Sequence, residues 1–482
     1  MPRPVILVHG YSADAQAFHP VREALKAKGI ATTDINICNY ISLNNEVTIK
    51  DIAEGFARAL ATRPQLSEGQ EFDAIVHSTG MLVVRAWLVN YGGPLNKNKR
   101  LNRLKHLIGL APATWGSPQA HKGRTWLGAL VKGEKHFGPD FLNAGDRVLR
   151  GLELGSQFTW ELACEDLVGE QAYYNKSKDT PYVAVFIGNK PYEGLASVAN
   201  DPGTDGTVRW SGCALNTRKI TIDFTRSGVD GHRATISPWA NDRLDIPMIA
   251  VDGRNHATII DQPDSGMIDL VVDFLKVPEQ KKHDDWLADA KAYGSKGLLR
   301  MLIKPSAHAT DVVGETKQIF GHIVGHEAGE KGEGWQQFVV HARDEWGDGI
   351  TDYVLEVFKE ENGKPVRFEE MYTDVHPYGE DRSFRCFHIH LPQGITTPSA
   401  KLTVRINAST GTELMAYRAF GGGMQELGVG ATQAPVEIDI TTIGDKGTLF
   451  FPFTTTMIEI LLNREPLPFT GESRILGFEK QG

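Results

Sequence analysis

The chain has 482 residues, of which 60 are acidic and 51 basic, giving a net charge of −9, with 41% hydrophobic and 23% charged side chains. That composition excludes collagen-like, disulfide-dense and intrinsically disordered chains. A mildly acidic chain without long basic runs makes a poor binder of phosphate backbones, so no nucleic-acid partner is expected. No stretch approaches the about 18–20 consecutive apolar residues of a membrane span.

One hydrophobic core rarely serves a chain of this length, so two domains are expected. Val5–Val8 is an apolar run ending at Gly10 and predicts a buried strand. Residues 15–28 predict a helix, with Phe18, Val21 and Leu25 on one stripe and Gly29 as its stop. A strand over 30–38, a helix over 47–62, a strand over 72–77 and a helix over 81–89 follow. Residues 107–110, 182–187 and 246–251 are further buried-strand candidates, and 267–275 is a closing helix. Strands alternating with helices predict a mostly parallel sheet with helices on both faces.

The texture changes after about residue 277. Residues 281–304 are charged and suit a helical linker, and from 305 to 482 the pattern turns to period two. Lys401-Leu402-Thr403-Val404-Arg405-Ile406-Asn407 alternates without a break, and 337–342, 353–358, 384–391, 414–419 and 457–462 are similar. Many short strands separated by Gly, Pro and Asp predict an antiparallel β-sandwich. Cys38, Cys164, Cys213 and Cys386 form no CxxC pair and are expected to be isolated small hydrophobes, a single disulfide being the alternative.

The chemistry concentrates at Ile75-Val76-His77-Ser78-Thr79-Gly80, set between a predicted strand and helix. A serine hydroxyl is a weak nucleophile and acts only when presented clear of its neighbours beside a base. A sharp strand-to-helix turn lifts it above the sheet and aims the next backbone N–H, here that of Thr79, at a developing oxyanion. An ordinary β-to-α turn with a serine cap is the plain alternative. The segment resembles the nucleophile elbow of the α/β-hydrolase superfamily, in particular the His-Ser-x-Gly elbow of bacterial lipases, although Val76 stands where those usually carry Gly or Ala.

Three further segments fit that resemblance. Val8-His9-Gly10-Tyr11 is similar to the superfamily's oxyanion loop, which implies the Tyr11 backbone N–H as the second oxyanion donor beside Thr79. The chain order of the triad in this fold is serine, acid, histidine. Asp205-Gly206-Thr207-Val208 looks like the acid turn of lipases and makes Asp205 the acid, with Asp201 in reserve. Asn255-His256 resembles the lipase Asn-His loop and makes His256 the base, with His232 as competitor.

Residues 111–181 are more than a crossover needs. Within a cap insertion of about 115–180 lie Trp126, Leu127, Leu130, Phe137, Phe141, Phe158 and Trp160, either an apolar lid over Ser78 or a helical excursion that completes the core. Elsewhere the signals are bland. His322-x-x-x-His326-Glu327 does not follow the H-E-x-x-H order. His388-x-His390 fits a solvated strand face better than a metal site, and glycines 421–423 fit a turn. No metal and no organic cofactor are expected.

The resemblance spans about residues 4–276. It implies an α/β-hydrolase catalytic domain over 1–280, followed by the linker and the sandwich. The implied activity is that of a serine carboxylic-ester hydrolase, a lipase or lipase-like esterase using Ser78, Asp205 and His256 through an acyl-enzyme. A phospholipase or an acyltransferase on the same fold is the near alternative, and a catalytically idle lipid- or partner-binding protein is the alternative of another class. The partners implied are a small ester or lipid and a transient lipid interface at the cap; oligomeric state has no signal. The first strand follows Met1 so closely that no signal peptide precedes it, which predicts a cytoplasmic chain, export without such a signal being the other possibility.

Overall fold

The structure, a computed structural model, describes residues 3–10, 18–35, 46–67, 69–92, 102–124, 145–171, 173–175, 179–193, 200–225, 234–237, 246–278, most of 282–290, 299–303, 335–368, 373–390, 402–419, 436–439, 451 and 453–467. The chain divides into two compact units: residues 1–218, 238–337 and 452–455, and residues 219–237, 338–451 and 456–482.

In the first unit, β1 (Val5–Val8), β2 (Thr32–Ile35), β3 (Phe72–His77), β4 (Leu104–Leu110) and β5 (Tyr182–Gly188) lie in one sheet. The chain then forms β6 (Thr217–Asp223) and β7 (Ala234–Ile236) in another sheet before returning as β8 (Met248–Val251) and β9 (Leu299–Ile303). The order is β2-β1-β3-β4-β5-β8-β9, parallel except for the antiparallel β8–β9 pair. Every residue of β1, β3, β5 and β8 is buried, as a sheet covered on both faces requires.

The helices of this unit are α1 (His19–Ala27), α2 (Ile49–Ala61), α3 (Gly80–Trp87), α4 (Pro118–Arg124), α5 (Asp146–Leu152), α6 (Gln157–Asp166), α7 (Thr258–Asp261) and α8 (Ser265–Phe274). Local chemistry sets their starts. Thr48 and Asp51 form a reciprocal capping box at α2, Thr48 N–H donating to Asp51 Oδ2 at 2.8 Å. Hydrogen bonds from Thr48 hold the Asp51 carboxyl below its ordinary pKa. The Asp264 carboxylate accepts from Met267 N–H at 3.0 Å and starts α8. Val21 and Leu25 of α1 and Met267, Val271 and Phe274 of α8 share a core with Leu7, Ile75, Ile108 and Phe186 of the sheet. Phe56 of α2 meets Trp87 of α3 edge-on at 5.5 Å.

The segment 281–304, expected as a helical linker, is not a spacer in its described part. Trp286, Leu287 and Ala290 join the first unit's core, and Trp286 Nε1–H donates to the Leu270 carbonyl at 3.0 Å. Leu299–Ile303 is the sheet's edge strand. Charged Lys282 and Asp285 mark one face of this segment, while its apolar stripe is buried.

The second unit contains β10 (Trp335–Asp344), β11 (Tyr353–Glu361), β12 (Lys364–Arg367), β13 (Thr373–Pro377), β14 (Phe384–His390), β15 (Leu402–Ala408), β16 (Met415–Arg418), β17 (Val436–Asp439) and β18 (Thr455–Pro466), apart from the first residues of β10 and β18. One sheet runs β13-β14-β10-β18-β6-β7 with β16 on β18, and the other runs β12-β11-β15-β17. Ile222, Val340, Ile389 and Ile460 of the first pack with Tyr353, Ile406 and Ala408 of the second, so the two sheets form an antiparallel β-sandwich. The division between units is not a single cut near residue 280. Residues 219–237 lie in the second unit because Ile220, Ile222 and Phe224 bury their side chains in the sandwich core.

His388, expected on a solvated face, is fully buried on the face of β14 that also carries buried Phe384 and Cys386. No three His, Cys, Asp or Glu side chains could hold a metal ion among the described residues. His322, His326, Glu327 and glycines 421–423 lie outside them. No helix among the described residues is long and apolar enough to cross a membrane. No disulfide joins any two of the described cysteines, Cys164, Cys213 and Cys386.

Candidate active site

Ser78 follows the last residue of β3 and precedes α3, with φ of +52°. A non-glycine residue held there stores on the order of 1–3 kcal/mol of strain, which the surroundings must impose. They do so by backbone contacts on both sides. Ala113 N–H donates to the Ser78 carbonyl at 3.0 Å, and Ser78 N–H donates to the Leu110 carbonyl at 3.4 Å.

Two glycines make room for the turn. A Cβ on Gly10 would lie 2.9 Å from Ser78 Cβ and 3.4 Å from its Oγ. One on Gly80 would lie 2.7 Å from the Val8 carbonyl oxygen, so only glycine lets α3 start this close to β1. Val76, the departure from the lipase pattern, is buried in register with Val8 of β1, where a branched side chain suits the sheet. Thr79 is buried immediately ahead of α3. Tyr11, the other implied oxyanion donor, lies outside the described residues, as does His232.

Asp205 and His256 are brought together. His256 Nδ1–H donates to Asp205 Oδ2 at 3.0 Å, and His256 backbone N–H donates to the Asp205 carbonyl at 3.0 Å. The other carboxylate oxygen, Oδ1, accepts from Thr207 N–H at 3.0 Å and Val208 N–H at 2.9 Å. Asp205 is fully buried with both oxygens bonded, so its charge is compensated and its orientation fixed. Gly206, at φ of +97°, lets the turn fold beneath the Tyr192 ring. Asp201 is held elsewhere, accepting from Gln119 Nε2–H at 3.3 Å.

The Asn-His loop explains its own sequence. Asn255 Oδ1 accepts from Ala257 N–H at 3.1 Å and Thr258 N–H at 2.9 Å, organising the turn that carries His256 into α7. His256 lies beside the residue that precedes Ser78. The rings of His77 and His256 are 4.7 Å apart, and His77 Nε2–H donates to the His256 carbonyl at 2.9 Å. Burial, and then the adjacent His256, hold the His77 imidazole well below its ordinary pKa, so it is neutral. Burial and the Asp205 charge push the Cys213 thiol well up, which leaves it a poor nucleophile.

The described part of the insertion braces the helix behind Ser78. Arg85 of α3 and Asp166 of α6 form a fully buried two-pronged pair, Nε to Oδ2 and Nη2 to Oδ1, both at 2.8 Å. Arg85 Nη1 donates to the Thr114 carbonyl at 2.7 Å, and Tyr174 O–H donates to Asp166 Oδ2 at 2.6 Å. Trp160 is buried and Phe158 half-buried, while Trp126, Leu127, Leu130, Phe137 and Phe141 lie outside the described residues. Sequence reading missed the Arg85–Asp166 pair, the Ala113 brace and the bonds of His77; only His77 carried a signal, as part of the Ser78 motif.

No family model and no curated protein matches the sequence, but solved structures match the chain. It is similar to phospholipase PlaB from Legionella pneumophila, with a TM-score of 0.71 at 19% identity, covering 99% of this chain and 96% of that one. PlaB in complex with thio-NAD matches with a TM-score of 0.69 at 20% identity over the same shares. The mature lipase BlEst2 from Bacillus licheniformis reaches a TM-score of 0.36 at 16% identity, covering 54% of this chain and 87% of that one. At such identity the likeness to PlaB shows the fold. The chain has an α/β-hydrolase fold with an antiparallel β-sandwich, as its sheet order and two units display.

Proposed function

We propose that the chain is a serine carboxylic-ester hydrolase, a lipase or lipase-like esterase. The observation that supports this most is the Asp205–His256 hydrogen bond of 3.0 Å beside the strained turn that carries Ser78. In this proposal His256 takes the Ser78 proton as Oγ attacks the ester carbonyl, and Asp205 holds the tautomer and stabilises the imidazolium. The tetrahedral oxyanion accepts from the Thr79 and Tyr11 backbone N–H groups, each worth about 3–4 kcal/mol in barrier lowering. Collapse expels the alcohol, which receives the proton from His256. Water, activated by His256, then releases the acid from the acyl-Ser78 ester.

PlaB is a phospholipase, and its likeness to this chain extends over both units, so phospholipids belong in the substrate test. The test is a p-nitrophenyl ester series from short to long acyl chains, with and without micelles, beside a phosphatidylcholine substrate. Turnover that favours chains of about eight carbons or more, enhanced at an interface, is the expected result. Hydrolysis of phosphatidylcholine above the simple esters would refine it to a phospholipase. Ester consumption only with an added alcohol would replace hydrolysis by acyl transfer. Absence of all turnover would contradict the proposal and favour an idle binding protein.

A further inference from the structure

We infer that His77 is a positioning residue for His256, clamping the base's own backbone while its ring walls the imidazole. The inference rests on the proposed roles of Ser78 and His256. His256 makes three hydrogen bonds among the described residues. Its backbone N–H goes to the Asp205 carbonyl at 3.0 Å, its Nδ1–H to Asp205 Oδ2 at 3.0 Å, and its carbonyl accepts from His77 Nε2–H at 2.9 Å. The first two tie it to the acid alone. The third ties it to the residue that immediately precedes the nucleophile.

The helical turn that follows makes this third bond matter. Ile259 N–H donates to the Asn255 carbonyl, and Ile260 and Asp261 N–H donate to that of Ala257. These bonds pass over the His256 carbonyl, and His77 satisfies it. A buried carbonyl that loses its donor is left unsatisfied, and the loop relaxes to recover a partner for it. Such relaxation moves the base relative to Ser78, because the two are coupled through adjacent residues 77 and 78.

The remaining features of His77 fit this role. Its Nδ1 is buried without a hydrogen-bond partner among the described residues, so Nε2 carries the ring's one proton and serves as the clamp. The ring tilts 43° to that of His256 at 4.7 Å, and the ring of Phe18, the residue before α1, stands edge-on to it at 6.1 Å. A neutral ring in that place confines the imidazole without adding a second positive charge when His256 is protonated.

Two substitutions separate the clamp from mere packing. His77→Phe keeps a ring and removes the donor; His77→Gln keeps an N–H donor. For His77→Phe, kcat falls on the order of ten- to hundredfold with KM within about twofold. Fluorophosphonate labelling of Ser78 slows by the same factor. The downfield proton resonance of His256 Nδ1–H, sharp in the wild type, is lost to exchange, and His77→Gln restores most of both kcat and resonance. Wild-type kcat in a folded His77→Phe variant, an unchanged resonance, or equal losses in both variants would overturn the inference. Should His77→Phe not fold, a folded His77→Gln protein with less than about a tenth of wild-type kcat would overturn it equally. If the wild type does not label at Ser78, the hydrolase proposal itself fails. If the wild type labels and His77→Phe labels as fast, only the role of His77 fails.

Discussion

Ser78 occupies a backbone conformation that few side chains accept, and the glycines beside it supply different things. Gly10 faces the nucleophile's side chain, whereas Gly80 faces the Val8 carbonyl. Gly10→Ala is therefore expected to displace the hydroxyl and lower kcat/KM by about a hundredfold with the melting temperature nearly kept. Gly80→Ala forces a methyl into backbone and lowers stability by about 1–3 kcal/mol, read from the urea midpoint. Equal loss of stability in both variants would contradict this division. At this scale the Ser78, Asp205 and His256 motifs were legible because each answers a local need: a tight turn, a bonded carboxylate, a capped loop. The bond from His77 to His256 was not, because it joins residues 179 apart in sequence and depends on how β3 and the loop after β8 meet.

Among the elements, α3 is held from behind by the buried Arg85–Asp166 pair. Removing one partner leaves a charge in a dry site, so Asp166→Asn is expected to cost about 3–5 kcal/mol in a denaturant titration. The double variant Arg85→Met/Asp166→Leu should recover most of it, and equal instability of both proteins would contradict the account. The insertion's apolar side chains are visible in the sequence, but they do not name the partner they cover; Leu149, Leu152 and Leu162 are core residues here. In β10 of the sandwich, His341 stacks on Phe384 at 3.9 Å, and burial lowers its pKa to about 4, with Glu459 and Asp381 opposing and Arg343 and Lys219 assisting. The unfolded chain binds a proton near pH 6.5 that the fold rejects, so this group's contribution is complete above that pH. It is lost progressively as pH falls from 6.5 toward 4. Melting temperatures at pH 7 and pH 5 should converge in His341→Phe relative to the wild type; an unchanged difference would contradict the assignment.

For the whole molecule, the texture change near residue 277 signalled two architectures, yet the units interleave along the chain. Lys219-Ile220-Thr221-Ile222-Asp223 alternates polar and apolar, but alternation alone does not say which sheet a hairpin joins; the burial of Ile220 and Ile222 decides it. The apolar side of 282–290 was masked by its charges. A chain ended at residue 280 would lack β9 and the Trp286 anchor, exposing the edge of β8. It is expected to aggregate on expression, as an unprotected edge strand does, whereas a monomeric, cooperatively melting product would contradict this. The claim on which the rest depends is that Ser78 is a nucleophile served by His256 and Asp205. Intact-protein mass spectrometry after fluorophosphonate treatment tests it most directly. One covalent adduct mapping to Ser78, absent in folded Ser78→Ala and His256→Ala proteins and slowed by about 10⁴ in Asp205→Asn, is the predicted result. An unlabelled wild type, or an adduct that survives Ser78→Ala, would contradict it.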